Sequence, residues 1–125
     1  KRAIEYIQSN YHIPIKVSDV ADYVCINRSY LYSLFQDALE MSPQQFLSRY
    51  RITKAAELLL TSSLPVESIA LSTGYNDPFV FTKAFKQLTG MAPTTYRKEK
   101  KKAESTKNRE YLNQIESFLK QGEKN

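Results

Sequence analysis

The chain has 125 residues, of which 42% are hydrophobic, and this is enough for one modest domain or two small subdomains. Its 18 Lys and Arg against 13 Asp and Glu give a formal net charge of +5, which suits a polyanionic partner but also an ordinary soluble surface. A single cysteine excludes an internal disulfide, and no long apolar run or signal-like segment occurs, so we expect a cytoplasmic protein with no membrane partner.

The residue types that enzymes use are scarce. The chain contains one His and one Cys, and it has neither a phosphate-binding glycine loop nor an HExxH pair. His12 stands at a loop entry, where an ordinary surface or partly buried histidine is expected. We therefore expect no enzymatic activity, no cofactor and no metal site.

The apolar residues recur at intervals of three and four, which predicts an all-α chain. A first helix is predicted from about Arg2 to Asn10, and Pro14 interrupts the pattern after it. Helical spacing begins at once, and the chain starts without Met. We therefore expect a piece of a longer protein, with part of the function elsewhere.

Residues 17–41 predict two short helices joined by about three residues, with Asn27 capping the second one. One apolar face of each helix is predicted to pack inward: Val17, Val20, Ala21 and Val24 in the first, and Leu31, Leu34, Phe35 and Leu39 in the second. This arrangement is a helix-turn-helix.

The same pattern occurs again about fifty residues later, and the hexapeptides MSPQQF at 41–46 and MAPTTY at 91–96 follow the two copies. The apolar positions of the second copy are Val66, Ile69, Ala70, Thr73, Phe81 and Phe85. Its turn contains Gly74, which can adopt a positive φ, and Asp77 can cap the following helix. Cys25 stands at the equivalent of Gly74. We expect it to be a small buried side chain, with redox sensing or metal binding as the alternative.

Each hexapeptide is predicted to begin a further helix. Ser42 and Gln45 form a capping box around Pro43, whereas Ala92 has no side-chain acceptor. The second helix start should therefore be weaker by about 1 kcal/mol, unless Thr94 caps it. Between the two copies, residues 42–62 predict a helix about 30 Å long, which can hold the two units close to one DNA turn apart.

These observations predict four regions: a first helix-turn-helix subdomain at 1–40, a linker helix at 41–62, a second helix-turn-helix subdomain at 63–98, and an extension at 99–125. The KEKKK run in the extension is typical of a solvated linker. An apolar stripe at helical spacing follows, made of Tyr111, Leu112, Ile115, Phe118 and Leu119. We expect this amphipathic helix to dock on the chain's own surface, with a partner-binding helix or a frayed terminus as alternatives.

Residues 51–97, RITKAAELLLTSSLPVESIALSTGYNDPFVFTKAFKQLTGMAPTTYR, closely resemble the signature of the AraC/XylS-type bacterial transcription regulators. The resemblance covers about residues 1–98. It implies a DNA-binding domain of seven helices with two helix-turn-helix units, and here a C-terminal helical extension would follow. The helices near 28–40 and 78–88 would enter successive major grooves of double-stranded DNA.

The resemblance also implies which side chains face the bases. These are Ser29, Tyr32 and Ser33 in the first recognition helix and Phe79, Thr82 and Lys83 in the second, with Arg28 and Pro78 at the helix starts. Helical periodicity agrees, because the same positions remain outside when Leu31, Phe35, Phe81 and Phe85 face inward. Phosphate contacts are expected from Arg49, Lys86, Thr94, Thr95 and Arg97.

Residues 1–97 carry 10 Lys and Arg against 8 Asp and Glu, so DNA affinity would depend on individually placed residues rather than on a general field. The resemblance implies an activator whose effector and dimerisation domain lies outside this chain, and RNA polymerase is a second candidate partner. Two alternatives stay open: a helical protein-interaction module, and a DNA-repair enzyme that carries this domain as a passenger.

Overall fold

The computed structural model describes the backbone of residues 1–124 and the side chains of residues 1–121. Within this range the regular structure is entirely helical, as the spacing predicted. The seven helices are α1 (Arg2–Asn10), α2 (Val17–Val24), α3 (Arg28–Leu39), α4 (Pro43–Thr61), α5 (Val66–Ser72), α6 (Pro78–Thr89) and α7 (Pro93–Lys124). The pairs α2–α3 and α5–α6 are the two predicted helix-turn-helix units.

The helix starts follow the predicted local chemistry. The Asn27 side chain accepts a hydrogen bond from the Tyr30 amide at 2.8 Å, and the Asp77 carboxylate accepts one from the Phe79 amide at 2.9 Å. Ser42 and Gln45 form both bonds of the predicted capping box, at 2.9 and 3.1 Å. These bonds satisfy amides that would otherwise lack a partner at a helix start, so they fix where each helix begins.

Two hydrophobic cores form, and α4 contributes to both. Leu47 in its first half packs into the core of the first unit, whereas Ile52 and Leu59 pack into the core of the second. The largest fully buried side chains include one aromatic pair of the second core, Phe81 and Phe85. The halves of α4 thus serve different units, and this helix fixes their arrangement.

An arginine closes the carbonyl end of the leading helix in each unit. Arg51 Nε donates to the Tyr11 carbonyl and its Nη2 to the Ile13 carbonyl, both at 2.9 Å, just after α1 ends. In the second unit, Arg97 makes the equivalent pair of bonds at the end of α4, to the Leu59 carbonyl at 2.9 Å and the Ser62 carbonyl at 3.3 Å. Arg97 was predicted to contact phosphate. Two of the five guanidinium N–H donors of Arg97 are used on the protein backbone, and phosphate contact through the other three stays a prediction.

Two core predictions are wrong. Cys25 is exposed rather than buried, because it caps α2 in the left-handed region at φ 61°, where its side chain points to solvent. Gly74 adopts φ 97° at the equivalent turn, so both turns have a positive φ although only one contains glycine. Leu34 is exposed as well and lines an open apolar groove with Ile4 and Ala38, because Leu31 and Phe35 turn into the core and Leu34 does not.

The C-terminal extension differs most from its prediction. Residues 99–124 continue α7 without a linker, because Lys, Glu and Ala favour helix and no Pro or Gly occurs between Thr94 and Gln121. Every residue from 98 to 121 is exposed, and the predicted apolar stripe is 39 to 74% exposed rather than docked. None of the helices in the described range combines the length and the apolarity that crossing a membrane requires.

Candidate nucleic-acid interface

The first unit presents one polar face around the start of α3. With Leu31 and Phe35 turned inward, all four predicted side chains of this unit are exposed: Arg28, Ser29, Tyr32 and Ser33. They line one open groove of about 1230 Å³. The Tyr32 hydroxyl accepts a hydrogen bond from the Gln36 amide group at 3.0 Å, one helical turn later, which orients the ring along α3. The structure therefore brings the first predicted set together.

The same groove includes residues that the sequence analysis missed. Lys16 and Ser18 lie at the start of α2, and Gln44 lies in the first turn of α4. The amide ends of both helices open into the groove, and such ends favour anions. The sequence did carry a signal for these residues, because a capping residue and polar side chains stand at the start of a helix that packs beside the recognition helix.

The second unit presents an apolar and cationic face at the start of α6. Phe79 is 84% exposed, and Pro78, Val80 and Lys83 are exposed beside it. Thr82 is half-buried by its neighbours, so it presents less surface than predicted. Val80 was not predicted, although its position next to Phe79 and its absence from the buried stripe could have identified it.

The residues predicted to contact phosphate lie in different parts of the structure. Arg49 lies where the two units meet, and it lines a groove with Gln44, Ser48 and Gln87. Lys86 is exposed in the last turn of α6, and Thr94 and Thr95 are exposed in the first turn of α7. Thr94 makes no cap. The start of α7 instead has the backbone bond from the Tyr96 amide to the Ala92 carbonyl at 2.9 Å.

The cations of this surface are not neutralised by the protein. Within the described side chains, the one ion pair joins Lys54 to Glu57 at 3.6 Å on α4. Arg28, Lys83 and Lys86 therefore keep their charge available for an anion. In the same range, no cluster of three or more His, Cys, Asp or Glu side chains is arranged to hold a metal ion.

Comparison with known proteins agrees with this geometry. The family model described as a helix-turn-helix domain matches residues 20–99. The raffinose operon transcriptional regulatory protein RafR of Pediococcus pentosaceus is 43% identical over 96 residues, covering 77% of this chain and 35% of that protein. The lactose operon transcription activator of Staphylococcus xylosus is 37% identical over 97 residues, covering 78% of this chain and 35% of that protein.

A solved structure has the same fold. The C-terminal domain of AraT, a response regulator from Geobacillus stearothermophilus, superimposes with a TM-score of 0.76 at 34% identity, covering 78% of this chain and 82% of that one. The chain spans about a third of the length of the curated relatives it matches. The family is one of DNA-binding regulators, which is not an enzyme class. The paired helix-turn-helix units of this structure and these matches show that the chain belongs to the AraC/XylS-type family of helix-turn-helix DNA-binding domains.

Proposed function

We propose that this chain reads DNA for a bacterial transcription regulator by placing α3 and α6 in successive major grooves on one face of the duplex. One observation carries the proposal: two recognition helices expose their unpacked faces, and a single helix, α4, holds both units. With 19 residues, α4 is about 28 Å long, comparable to the 34–36 Å of one DNA turn.

The side chains at the starts of α3 and α6 would make different kinds of contact with the bases, according to their chemistry. Lys83 can donate to guanine O6 and N7, and the exposed ring of Phe79 suits a thymine methyl group. Ser29, Tyr32 and Ser33 can donate to or accept from base edges. Arg28 and Pro78 flank these positions, and Thr82 contributes only its exposed part.

Phosphates are held by a second set of groups. These are Arg49, Lys86, Thr94, Thr95 and Lys16, together with the amide ends of α2, α4 and α7. Such contacts set the register of the protein on the duplex without reading sequence. Since residues 1–97 carry only two more cations than carboxylates, affinity depends on where these groups lie.

Selection of bound duplexes from a random pool tests the proposal directly. We expect one asymmetric motif of about 15 to 20 base pairs, because a single chain covers two grooves. If six to eight phosphates are engaged, the logarithm of the affinity should fall against the logarithm of salt with a slope of about −5 to −7. A slope near zero and no recovered motif would instead support the protein-interaction alternative.

The regulator as a whole is proposed to be a cytoplasmic activator, since one similar protein is named as a lactose operon transcription activator. Effector sensing and dimerisation would come from the part of the protein outside this chain, and RNA polymerase would be the partner at the promoter. A reporter gene with the selected motif upstream should be transcribed more strongly when the regulator is present. Repression of that reporter would contradict the activator assignment.

A further inference from the structure

The turn of the second helix-turn-helix unit rests on the end of the first helix of the other unit. Gly74 lies in the α5–α6 turn, and a Cβ built on it would stand 2.3 Å from the Tyr11 carbonyl oxygen and 2.7 Å from Arg51 Nε. Both distances are far below van der Waals contact. Only glycine therefore fits here, where the turn approaches the backbone after α1.

The Arg51 side chain fills the space between the units. It is 9% exposed, and its two hydrogen bonds to the Tyr11 and Ile13 carbonyls tie it to the first unit. Its guanidinium carbon also lies 5.7 Å from the ring centre of Tyr75, the residue after Gly74. One planar cation thus touches both units, and we name Tyr11, Arg51, Gly74 and Tyr75 the interunit junction.

The electrostatics of the junction show how closely it is packed. Burial lowers the pKa of Arg51 and raises the pKa of Tyr75, and the two groups partly offset these shifts in each other. Ser48 also lowers the pKa of Tyr75, yet within the described residues no partner meets hydrogen-bond geometry at the Tyr75 hydroxyl. The ring, rather than the hydroxyl, is therefore what Tyr75 contributes.

The interunit junction connects the cores of the two units. Tyr11 packs with the first core and Tyr75 with the second, whereas Arg51 joins them at the middle of α4. Arg97 makes the same kind of bidentate bond, but it joins α7 to α4 within the second unit. The chain thus contains one arginine that links the units and a matched arginine that does not.

We propose that Arg51 and Gly74 fix the distance and rotation between α3 and α6, and so determine which separation of the two half-sites in DNA the protein accepts. This inference rests on the proposed function, because the separation has meaning only if both helices read one duplex. The two residues touch no DNA and act as positioning residues through the α5–α6 turn, which leads directly into α6.

The geometry of DNA makes this role measurable. Inserting one base pair moves the second half-site by about 3.4 Å along the axis and rotates it by about 34–36°. A protein with rigidly joined units must then lose contacts in one groove, whereas a protein with a loose junction can adjust. The penalty for a changed separation therefore reports the stiffness of the junction.

The test compares Arg51→Lys with Arg97→Lys on the selected duplex and on versions with one base pair added or removed between the two half-sites. Lysine keeps the charge but cannot hold two carbonyls in the arginine geometry. We expect wild type and Arg97→Lys to lose about tenfold or more in affinity on the altered duplexes. Arg51→Lys should lose about threefold or less, while binding the original duplex more weakly. Equal penalties in all three proteins would overturn the inference.

A second arm needs no DNA. Residual dipolar couplings should show both units of the wild type sharing one alignment tensor, and two different tensors in Arg51→Lys and in Gly74→Ala, whose added Cβ pushes the turn from Tyr11. A single shared tensor in both variants would overturn the inference. If the wild type selects no duplex at all, the proposed function fails, and this arm still decides whether the junction holds the units together.

Discussion

Phe79 provides the sharpest test of the DNA-facing surface, because this residue is 84% exposed at the start of α6 and packs little against the free protein. About a sixth of the ring is covered, so Phe79→Ala removes roughly 0.2–0.5 kcal/mol of burial. The better helix propensity of alanine returns a similar amount, about 0.5 kcal/mol. The stability of the variant should therefore stay within about 0.5 kcal/mol of wild type.

The effect on binding should be much larger. If DNA covers the ring, its loss costs about 1.5–3 kcal/mol, or roughly 10- to 150-fold in Kd. The salt dependence should not change, because no charge is removed. Phe81→Ala is the matched contrast two residues later, since Phe81 is fully buried and its truncation should cost about 3–5 kcal/mol of stability.

Urea unfolding gives the stability change, and fluorescence anisotropy on the selected duplex gives Kd at two salt concentrations. Two results would refute the reasoning. An unchanged Kd for Phe79→Ala would place the ring outside the complex. A stability loss above about 1 kcal/mol would show that the ring packs on the protein after all.

Three further predictions concern Lys83 and Lys86, the end of α7, and Tyr75. Lys83→Ala should cost about 1–3 kcal/mol on the preferred site and barely affect random duplex, whereas Lys86→Ala should weaken both and lower the magnitude of the salt slope by about 1. Equal losses for Lys83→Ala on both duplexes would make it another phosphate contact. Deleting residues 103–125 should shift Tm by less than about 3 °C and leave the selected motif unchanged, because the apolar stripe of α7 is exposed; a larger drop would mean that the stripe is covered. Tyr75→Phe should be neutral or stabilising, because it removes a buried hydroxyl without a partner and keeps the ring beside Arg51; a loss above about 1 kcal/mol would reveal a hydrogen bond at that hydroxyl.

Local features of the fold could be predicted from the sequence because their causes lie within a few residues. Asn27, Ser42 and Asp77 each bond an amide two or three positions later, so the helix starts follow from short motifs. The repeat with its offset of about fifty identifies both units for the same reason. The exposed positions on α3 and α6 follow from helical periodicity, while their contacts with bases stay predictions.

Features that depend on distant backbone could not be predicted. The acceptors of Arg51 lie 40 and 38 residues earlier in the chain and are carbonyl oxygens, which no side-chain pattern identifies. The carbonyl acceptors of Arg97, 38 and 35 residues earlier, were missed for the same reason. An apolar stripe at helical spacing predicts a helix at Tyr111–Leu119, but it does not say whether anything covers that helix.

Because α4 contributes to both cores, the two repeated units are not independent domains joined by a flexible linker. The closing helix of the first unit is also the leading helix of the second, so unfolding of either unit removes the support from one half of a helix on which the other unit packs. The cost of nucleating that helix is met once and shared by both units. Heat should therefore unfold the two units in one cooperative transition, and a destabilising substitution in one unit would lower the melting temperature of both.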